Sequence, residues 1–361
     1  MKVLLVEDEE DVVVGITDHC DEMDWKWKVA KFNDAFMSVV EFDPDIIIMD
    51  WFEGRDLTKD FGDGLLDKIW KNYFRPIVVF SGYADVLMGM DGIRSKLEHS
   101  RMFKLIPKGD DQPVNDFLDE MYSFAPALAK FRGDMGEALI SSLNAIDPIK
   151  TVAGGQDNAV GYMLSQRTAS FFEDKYVGSV SPSWVQYLCP PVNDGLCACD
   201  ILRKNSEDAD FDSEGMPEEY CMILTPSCDM QRTENRIPKV TNALCAQCEP
   251  KEAFYGKNKP KKVSVIASML NRGYNENKVA LPGFPNTIPH MTANLKKLIL
   301  PRLDAIALSA EQRDKEAKYV RVASIASPFR EQIVWAYLQN ACRPGVPDRD
   351  TKSWAEEILK T

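Results

Sequence analysis

Five short apolar runs, alternating with helical patterns of hydrophobic residues, constrain the first third of the chain most strongly. Such runs are typical of buried parallel strands, and four of them stop abruptly at polar residues. The runs are Lys2–Val6, Trp27–Phe32, Asp45–Asp50, Pro76–Phe80 and Phe103–Ile106. Strands that alternate with helices in this way predict a doubly wound α/β domain built on a five-stranded parallel sheet.

Polar side chains follow four of these strands, at the edge where a doubly wound sheet binds its ligands. They are three carboxylates, a hydroxyl and an ammonium: Glu7, Asp8, Asp50, Ser81 and Lys108. Three close carboxylates repel one another, and a hard divalent cation such as Mg²⁺ relieves that repulsion while taking oxygen ligands. One carboxylate can then attack a phosphoryl group, whose oxygens the hydroxyl and the ammonium would meet. This pattern predicts an aspartyl-phosphate site.

Residues 1–125 resemble the receiver domain of two-component response regulators, which has a flavodoxin-like fold. Four motifs carry the resemblance, in order and with family-like spacing: Val3–Glu9, Pro44–Asp50, Pro76–Gly82 and Leu105–Lys108. The resemblance implies phosphorylation by a histidine kinase, a phosphotransfer protein or a small phosphodonor.

The resemblance also implies a set of metal ligands. Asp8 and Asp50 would bind Mg²⁺ directly, Glu7 would bind it through water, and the backbone carbonyl of Phe52 would add a further ligand. Mg²⁺ is therefore the expected cofactor.

The remaining roles concern the phosphoryl group. By the resemblance, Asp50 would be the phosphoacceptor, and Ser81 and Lys108 would contact the phosphoryl oxygens. The chain departs from the family in the loop from Trp51 to Gly64, which is about eight residues longer than usual. It also has Leu105 where the family commonly has an aromatic residue that switches between buried and exposed positions.

Charge and composition exclude several classes of protein. Hydrophobic residues make up 45% and charged residues 27% of the 361 residues, which argues against a disordered, collagen-like or coiled-coil chain. Residues 1–130 hold 27 acids and 15 bases, whereas the rest holds 29 acids and 28 bases. Neither part has the basic footprint of a DNA-binding domain, so nucleic acid is not an expected partner.

No apolar run approaches the ~18 residues of a membrane span, and no signal peptide is recognisable at the N-terminus. We therefore expect a cytoplasmic protein without a membrane partner, in which the nine cysteines are reduced thiols.

Residues 126–176 are predicted to form a helical connector. Apolar residues recur from Val114 to 146 with a spacing close to 3.5, and Pro126 would kink or split the resulting helix. One interpretation is a signalling helix that dimerises the protein. The other is an ordinary last receiver helix, followed by one or two helices packed in the next domain. Residues 147–159 are the best linker candidate, and Gly161–Tyr176 is again helical.

Residues 177–361 are predicted to form an α+β output domain with a small β-rich core. The predicted strands are Ser183–Leu188, Leu196–Leu202, Tyr220–Thr225 and Lys239–Ala246. Residues 260–361 are predicted to mix helices and loops, with the clearest helix running from about Pro328 to Ala341.

Three features of this half are candidate sites. Cys245 and Cys248 have the C-x₂-C spacing of a zinc knuckle, but no second pair exists, so buried free thiols are the alternative. Thr225–Asp229 is either a site or a turn with a capping aspartate. A basic loop is either solvated or a phosphate contact; its lysines are Lys257, Lys259, Lys261 and Lys262.

These observations favour a response-regulator-like phosphosignalling protein that controls a C-terminal interaction module. No enzyme activity is predicted beyond the receiver's own phosphorylation and dephosphorylation. One alternative is an effector enzyme acting on nucleic acid, because the order of three C-terminal strands resembles the small SH3-like barrels of ribonuclease toxins. Another is a passive phosphate sink in a defence-type two-component pathway.

Overall fold

A computed structural model describes residues 1–52, 62–73, 75–144, 157–175, 181–206, 209–232, 236–256, 262–342 and 349–359. The chain divides into two compact units, Met1–Gly178 and Ser179–Thr361. The further division of the first unit into a receiver (1–125) and a connector (126–176) stays a prediction.

The first unit contains a five-stranded parallel sheet. Its strands follow the order β2-β1-β3-β4-β5 across the sheet, which confirms the predicted doubly wound architecture. Their bounds are β1 Lys2–Val6, β2 Lys26–Ala30, β3 Ile46–Met49, β4 Ile77–Ser81 and β5 Phe103–Pro107. The second strand is shorter than predicted because Phe32 begins the following helix.

Helices cover both faces of this sheet. They are α1 Val14–Glu22, α2 Phe32–Phe42, α3 Gly62–Tyr73, α4 Ala84–Leu87, α5 Asp91–His99 and α6 Gln112–Tyr122. Alternate residues of β1 enter two different cores: Leu4 and Val6 lie in one, and Val3 and Leu5 lie in the other. Burial on both faces explains why the strands read as continuous apolar runs rather than as an alternating pattern.

The described residues of the first unit include two further helices, α7 (Ala125–Asn144) and α8 (Asp157–Lys175). The predicted helix from Val114 is split between α6 and α7, and Pro126 lies in the first turn of α7, where a missing N–H costs little. Helices α7 and α8 pack together, with the rings of Phe131 and Phe172 stacked at 5.4 Å. Most of the predicted linker at 147–159 lies outside the described residues.

The second unit is built on a nine-stranded, mainly antiparallel sheet, which confirms the predicted α+β class. Its order is β10-β11-β12-β9-β8-β7-β14-β13, and β6 pairs with β14. The bounds are β6 Tyr187–Leu188, β7 Asp200–Lys204, β8 Tyr220–Ile223, β9 Cys245–Pro250, β10 Tyr274–Asn275, β11 Lys278–Leu281, β12 Met291–Ile299, β13 Ile306–Ala307 and β14 Tyr319–Ile325. Its helices are α9 Ser227–Met230, α10 Val263–Asn271, α11 Phe329–Ala341 and α12 Thr351–Leu359. No described helix combines the length and the apolarity that a membrane crossing requires.

The prediction of helices and loops alone for residues 260–361 is wrong, because five of the strands lie there. In the longest of them, β12, six of the nine residues are alanine, asparagine, leucine or lysine, which favour helices or loops when the sequence is considered alone. Pairing with β11 on one side and β9 on the other overrides that preference. The predicted strand Ser183–Leu188 is also shorter than expected, since Ser183–Gln186 forms a 3₁₀ turn.

A buried polar network joins β7 to β14 and to the segment before β7. The Asp200 carboxylate is fully buried and accepts hydrogen bonds from Ser324 Oγ at 2.6 Å and the Cys197 N–H at 2.8 Å. The Arg321 guanidinium lies 3.6 Å from Asp200 and donates to the carbonyls of Asn193 and Gly195, both at 2.7 Å. Each charge is therefore compensated, which a buried ion requires.

We predict that Asp200→Ala lowers the free energy of unfolding of the second unit by about 3 kcal/mol, because it leaves Arg321 buried without its carboxylate. Urea unfolding of the full chain measures the change. The control is Asp212→Ala, which removes an exposed carboxylate. Equal stability losses in the two variants would contradict a structural role for the network.

Candidate functional site

Neighbouring parallel strands bring the predicted carboxylates together at one edge of the first sheet. Val6 of β1 is in register with Met49 of β3, so Glu7 and Asp50 emerge side by side. One carboxylate oxygen from each of Glu7, Asp8 and Asp50 lies within 4.8 Å of the others. Glu7 and Asp50 are buried, at 3% and 7% exposure, so water screens their mutual repulsion poorly.

Lys108 compensates two of these carboxylates. It follows β5 directly, and its Nζ lies 2.6 Å from Asp50 Oδ2 and 2.7 Å from Glu7 Oε2. Burial alone would lower the pKa of Lys108, but the hydrogen bonds and charges of Asp50 and Glu7 outweigh burial and raise it. Lys108 is therefore an ammonium at neutral pH.

Contacts to both carboxylate oxygens hold the Glu7 side chain in place. Oε1 accepts hydrogen bonds from the backbone N–H groups of Asp8 at 3.1 Å and Glu9 at 3.2 Å, while Oε2 meets Lys108. Burial raises the pKa of the Glu7 carboxyl, and Lys108 opposes that rise without cancelling it. The side chain is thus held in one orientation, with its charge balanced mainly by Lys108.

Ser81 and Phe52 lie at the same edge of the sheet. Ser81 ends β4, is fully buried, and is in register with Pro107, the residue before Lys108. Its backbone carbonyl accepts the Lys108 N–H at 3.2 Å. Phe52 is buried, and its ring meets Tyr83 edge-on at 5.5 Å. Most of the predicted long loop from Trp51 to Gly64 lies outside the described residues.

Trp51 is part of the site, although its sequence position alone does not single it out. Its backbone N–H donates to Asp50 Oδ1 at 2.6 Å, and its ring is almost completely buried. A Cβ atom at Gly62 would lie only 2.3 Å from the Trp51 ring, so glycine allows α3 to start against the indole. A bulky aromatic residue directly after the expected phosphoacceptor is the signal that would have identified it.

The C-x₂-C pair of the second unit does not form a joint site. Cys245 and Cys248 are three residues apart on β9, so they point to opposite faces of the sheet and enter different cores. Burial raises the pKa of Cys248 and so disfavours the thiolate that binds metals. Among the described residues, the only group of three or more potential metal ligands is Glu7, Asp8 and Asp50.

Residues 225–229 use their polar groups to hold the fold together. Thr225 Oγ1 accepts the Leu244 N–H at 2.7 Å, and Ser227 Oγ accepts the Ala198 N–H at 2.9 Å. Asp229 pairs with Lys239 at 3.0 Å. These contacts favour the interpretation as a turn. Of the predicted basic loop, Lys257, Lys259 and Lys261 lie outside the described residues, and Lys262 is exposed.

No protein-family model matches the sequence, and no curated protein matches it. Solved structures similar to the N-terminal part are receiver domains of response regulators, and the C-terminal half is not matched. The activated receiver domain of Klebsiella pneumoniae RstA is 19% identical, with 33% of this chain and 96% of that chain covered and a TM-score of 0.26.

Two other similar structures are also receiver domains. The N-terminal domain of the nisin resistance regulator NsrR is 22% identical, with 34% of this chain and 97% of that chain covered and a TM-score of 0.27. The receiver domain of Erythrobacter litoralis PhyR is 16% identical, with 34% of this chain and 90% of that chain covered and a TM-score of 0.28. The fold of the first unit is defined by its own strand order, β2-β1-β3-β4-β5.

We predict that Lys108→Ala destabilises the first unit in a pH-dependent way when divalent cations are chelated. The loss should be about 3 kcal/mol near pH 8, because Glu7 and Asp50 then remain buried without their cation. It should shrink as the pH falls towards about 5, because removal of Lys108 raises the Glu7 pKa further and protonation then removes the uncompensated charge.

Urea unfolding in EDTA at both pH values measures this difference. Lys26→Ala is the control, since Lys26 is an exposed lysine of β2. A loss of stability that is the same at both pH values would show that charge compensation is not the role of Lys108.

Proposed function

We propose that this protein is a response-regulator-like phosphosignalling protein whose Asp50 accepts a phosphoryl group in a Mg²⁺-dependent reaction. The observation that carries the proposal is the cluster of Glu7, Asp8 and Asp50 within 4.8 Å, bridged by Lys108. Three carboxylates and one ammonium leave an excess of negative charge, which suits a divalent cation and then an incoming phosphoryl group.

The donor set fits Mg²⁺, which prefers oxygen ligands and retains several waters. Asp8 and Asp50 would bind the ion directly, Glu7 would act through water, and the Phe52 carbonyl would complete the protein ligands. When bound, Mg²⁺ would supply positive charge that the reacting phosphoryl group requires. The carboxylate of Asp8, which is partly exposed, is the accessible member of the cluster.

Asp50 is the proposed nucleophile. One of its carboxylate oxygens forms a bond to phosphorus, and the bond from phosphorus to the donor's nitrogen or oxygen breaks, with the electron pair leaving on the donor atom. The Trp51 N–H and Lys108 orient the two oxygens of Asp50 before the reaction. Lys108 and Ser81 would then donate to the phosphoryl oxygens.

The phosphodonor would be a histidine kinase or a phosphotransfer protein, and the protein would then act in the cytoplasm. The second unit would act as an interaction module under the control of Asp50, and α7 with α8 would support a homodimer. The reason for proposing a dimer is that these helices carry exposed apolar residues, among them Leu139, Ile140 and Leu143 of α7 and Tyr162 of α8.

We predict that the wild-type protein gains one phosphoryl group when it is incubated with acetyl phosphate and Mg²⁺, and that Asp50→Asn does not. Intact mass spectrometry measures the gain. Asp85→Asn, which changes an exposed carboxylate of α4, should behave like the wild type. Phosphorylation of Asp50→Asn at the wild-type rate would refute the assignment. Sedimentation of the same phosphorylated sample reports on dimerisation.

We also predict that Mg²⁺ stabilises the first unit through Asp8. An ion that binds only the folded state adds about 2.7 kcal/mol at a concentration of 100 times its Kd. Thermal unfolding with and without Mg²⁺ should therefore show a shift that Asp8→Ala removes and that Asp11→Ala, at an exposed position, retains. A full Mg²⁺ shift in Asp8→Ala would reject the metal site.

A further inference from the structure

The second unit contains a cavity of about 590 Å³, which is within the usual size range of small-molecule sites. Side chains of the sheet, of α11 and of the 3₁₀ turn Lys251–Tyr255 form its floor. The apolar floor residues are no more than 5% exposed: Phe254, Val279, Leu281, Met291 and Ile333. The floor is therefore apolar and buried.

Helix α10 forms another wall of this cavity through Ile266 and Leu270. Six of its nine residues are apolar, yet none of them is buried. A helix of this composition normally buries an apolar stripe against the protein. A ligand with an apolar body in the cavity would cover Ile266 and Leu270 and supply that missing contact.

The charge of the cavity differs from that of the chain. The sequence has 56 acidic residues and a net charge of −13, but none of the described residues that line the cavity is an aspartate or glutamate. Its charged or ionisable lining residues are Lys251, His290 and Tyr255. The absence of carboxylates from the described lining of the cavity favours a ligand that carries negative charge.

The polar groups available to a ligand include hydrogen-bond donors. His290 Nδ1 accepts the Gly283 N–H at 3.1 Å, so the proton of the neutral ring is on Nε2. The Gln186 side chain at the wall is engaged by the Tyr187 hydroxyl, whereas Lys251 adds an ammonium to the lining. Thr292 and Gln332 already donate to backbone carbonyls, and Ser183 and Asn271 complete the polar lining.

We propose that this cavity binds an amphiphilic monoanion, a small molecule with an apolar aliphatic or aromatic body and one carboxylate-like head. The body would lie between the floor and α10, and the head would accept hydrogen bonds from Lys251 and His290. This site lies wholly within the second unit and does not depend on the chemistry proposed for Asp50.

Isothermal titration calorimetry on the full-length protein tests the proposal. The probes are dodecanoate below its micelle concentration, 2-naphthoate, and dodecan-1-ol as the neutral counterpart of dodecanoate. We expect saturable one-to-one binding of at least one anion, and the tighter of the two identifies an aliphatic or an aromatic body. Lys251→Gln should weaken that binding by about tenfold, the size of one charge-assisted hydrogen bond. Lys296→Gln, at an exposed lysine of β12, should leave it unchanged.

A substitution on α10 tests the apolar part of the site. Leu270→Asp would place a carboxylate on the cavity wall, at a side chain that is 45% exposed, so the change is tolerable for folding. This variant should abolish anion binding.

Four results would overturn the proposal, and the first three concern the anions and the variants. They are no saturable binding of either anion, undiminished binding in Leu270→Asp, and equal binding in Lys251→Gln and the wild type. Binding of dodecan-1-ol as tight as that of dodecanoate would likewise reject an anionic ligand.

Discussion

The first unit depends on how one ammonium, Lys108, balances carboxylates that the parallel sheet forces together. Two unit charges about 5 Å apart repel by roughly 3 kcal/mol at an effective dielectric constant near 20. Glu7 and Asp50 are buried at adjacent strand ends and would experience repulsion of this order without Lys108. The ammonium lowers the repulsion but leaves the cluster, with Asp8, net negative. In our proposal this residual charge is what recruits Mg²⁺ and makes Asp50 available to a phosphoryl group.

Sequence reasoning predicted the first unit because its physical signals are local. All four residues of β3 are buried, so the strand is visible as the apolar run Ile46–Met49, and Asp50 marks its end. The rule that ligands bind at the carboxyl ends of parallel strands then places Glu7, Asp50 and Lys108 at one edge without any knowledge of packing. The contact between Trp51 and Gly62 was not predictable in this way, because it depends on how α3 approaches the sheet.

The second unit was harder to predict because its strands are defined by their partners. The residues of β12 have little intrinsic preference for a strand, and a register shift between Asn294 and Leu298 interrupts its alternating pattern. The strand predicted at Lys239–Ala246 is observed at Cys245–Pro250. That displacement places Cys245 and Cys248 on one strand, where their side chains point to opposite faces of the sheet.

Two of the cation–carboxylate systems among the described residues, Arg321 with Asp200 and Lys108 with Glu7 and Asp50, differ in what their cations bind. Arg321 is 5% exposed and donates to the carbonyls of Asn193, Gly195 and Leu308 as well as approaching Asp200, so most of its hydrogen bonds are to the backbone. Such an arrangement has no partner that a ligand can replace without unfolding the segment.

Lys108, in contrast, has two carboxylate partners at the rim of its sheet, and its side chain is 18% exposed. Adding or removing charge at those carboxylates changes the two contacts of the Lys108 ammonium directly. The first system is therefore suited to fixing a structure, whereas the second is suited to responding to a bound ion or a covalent phosphoryl group. This difference in partners, rather than the presence of a buried ion pair, is why our proposal assigns phosphorylation to the edge of the first sheet.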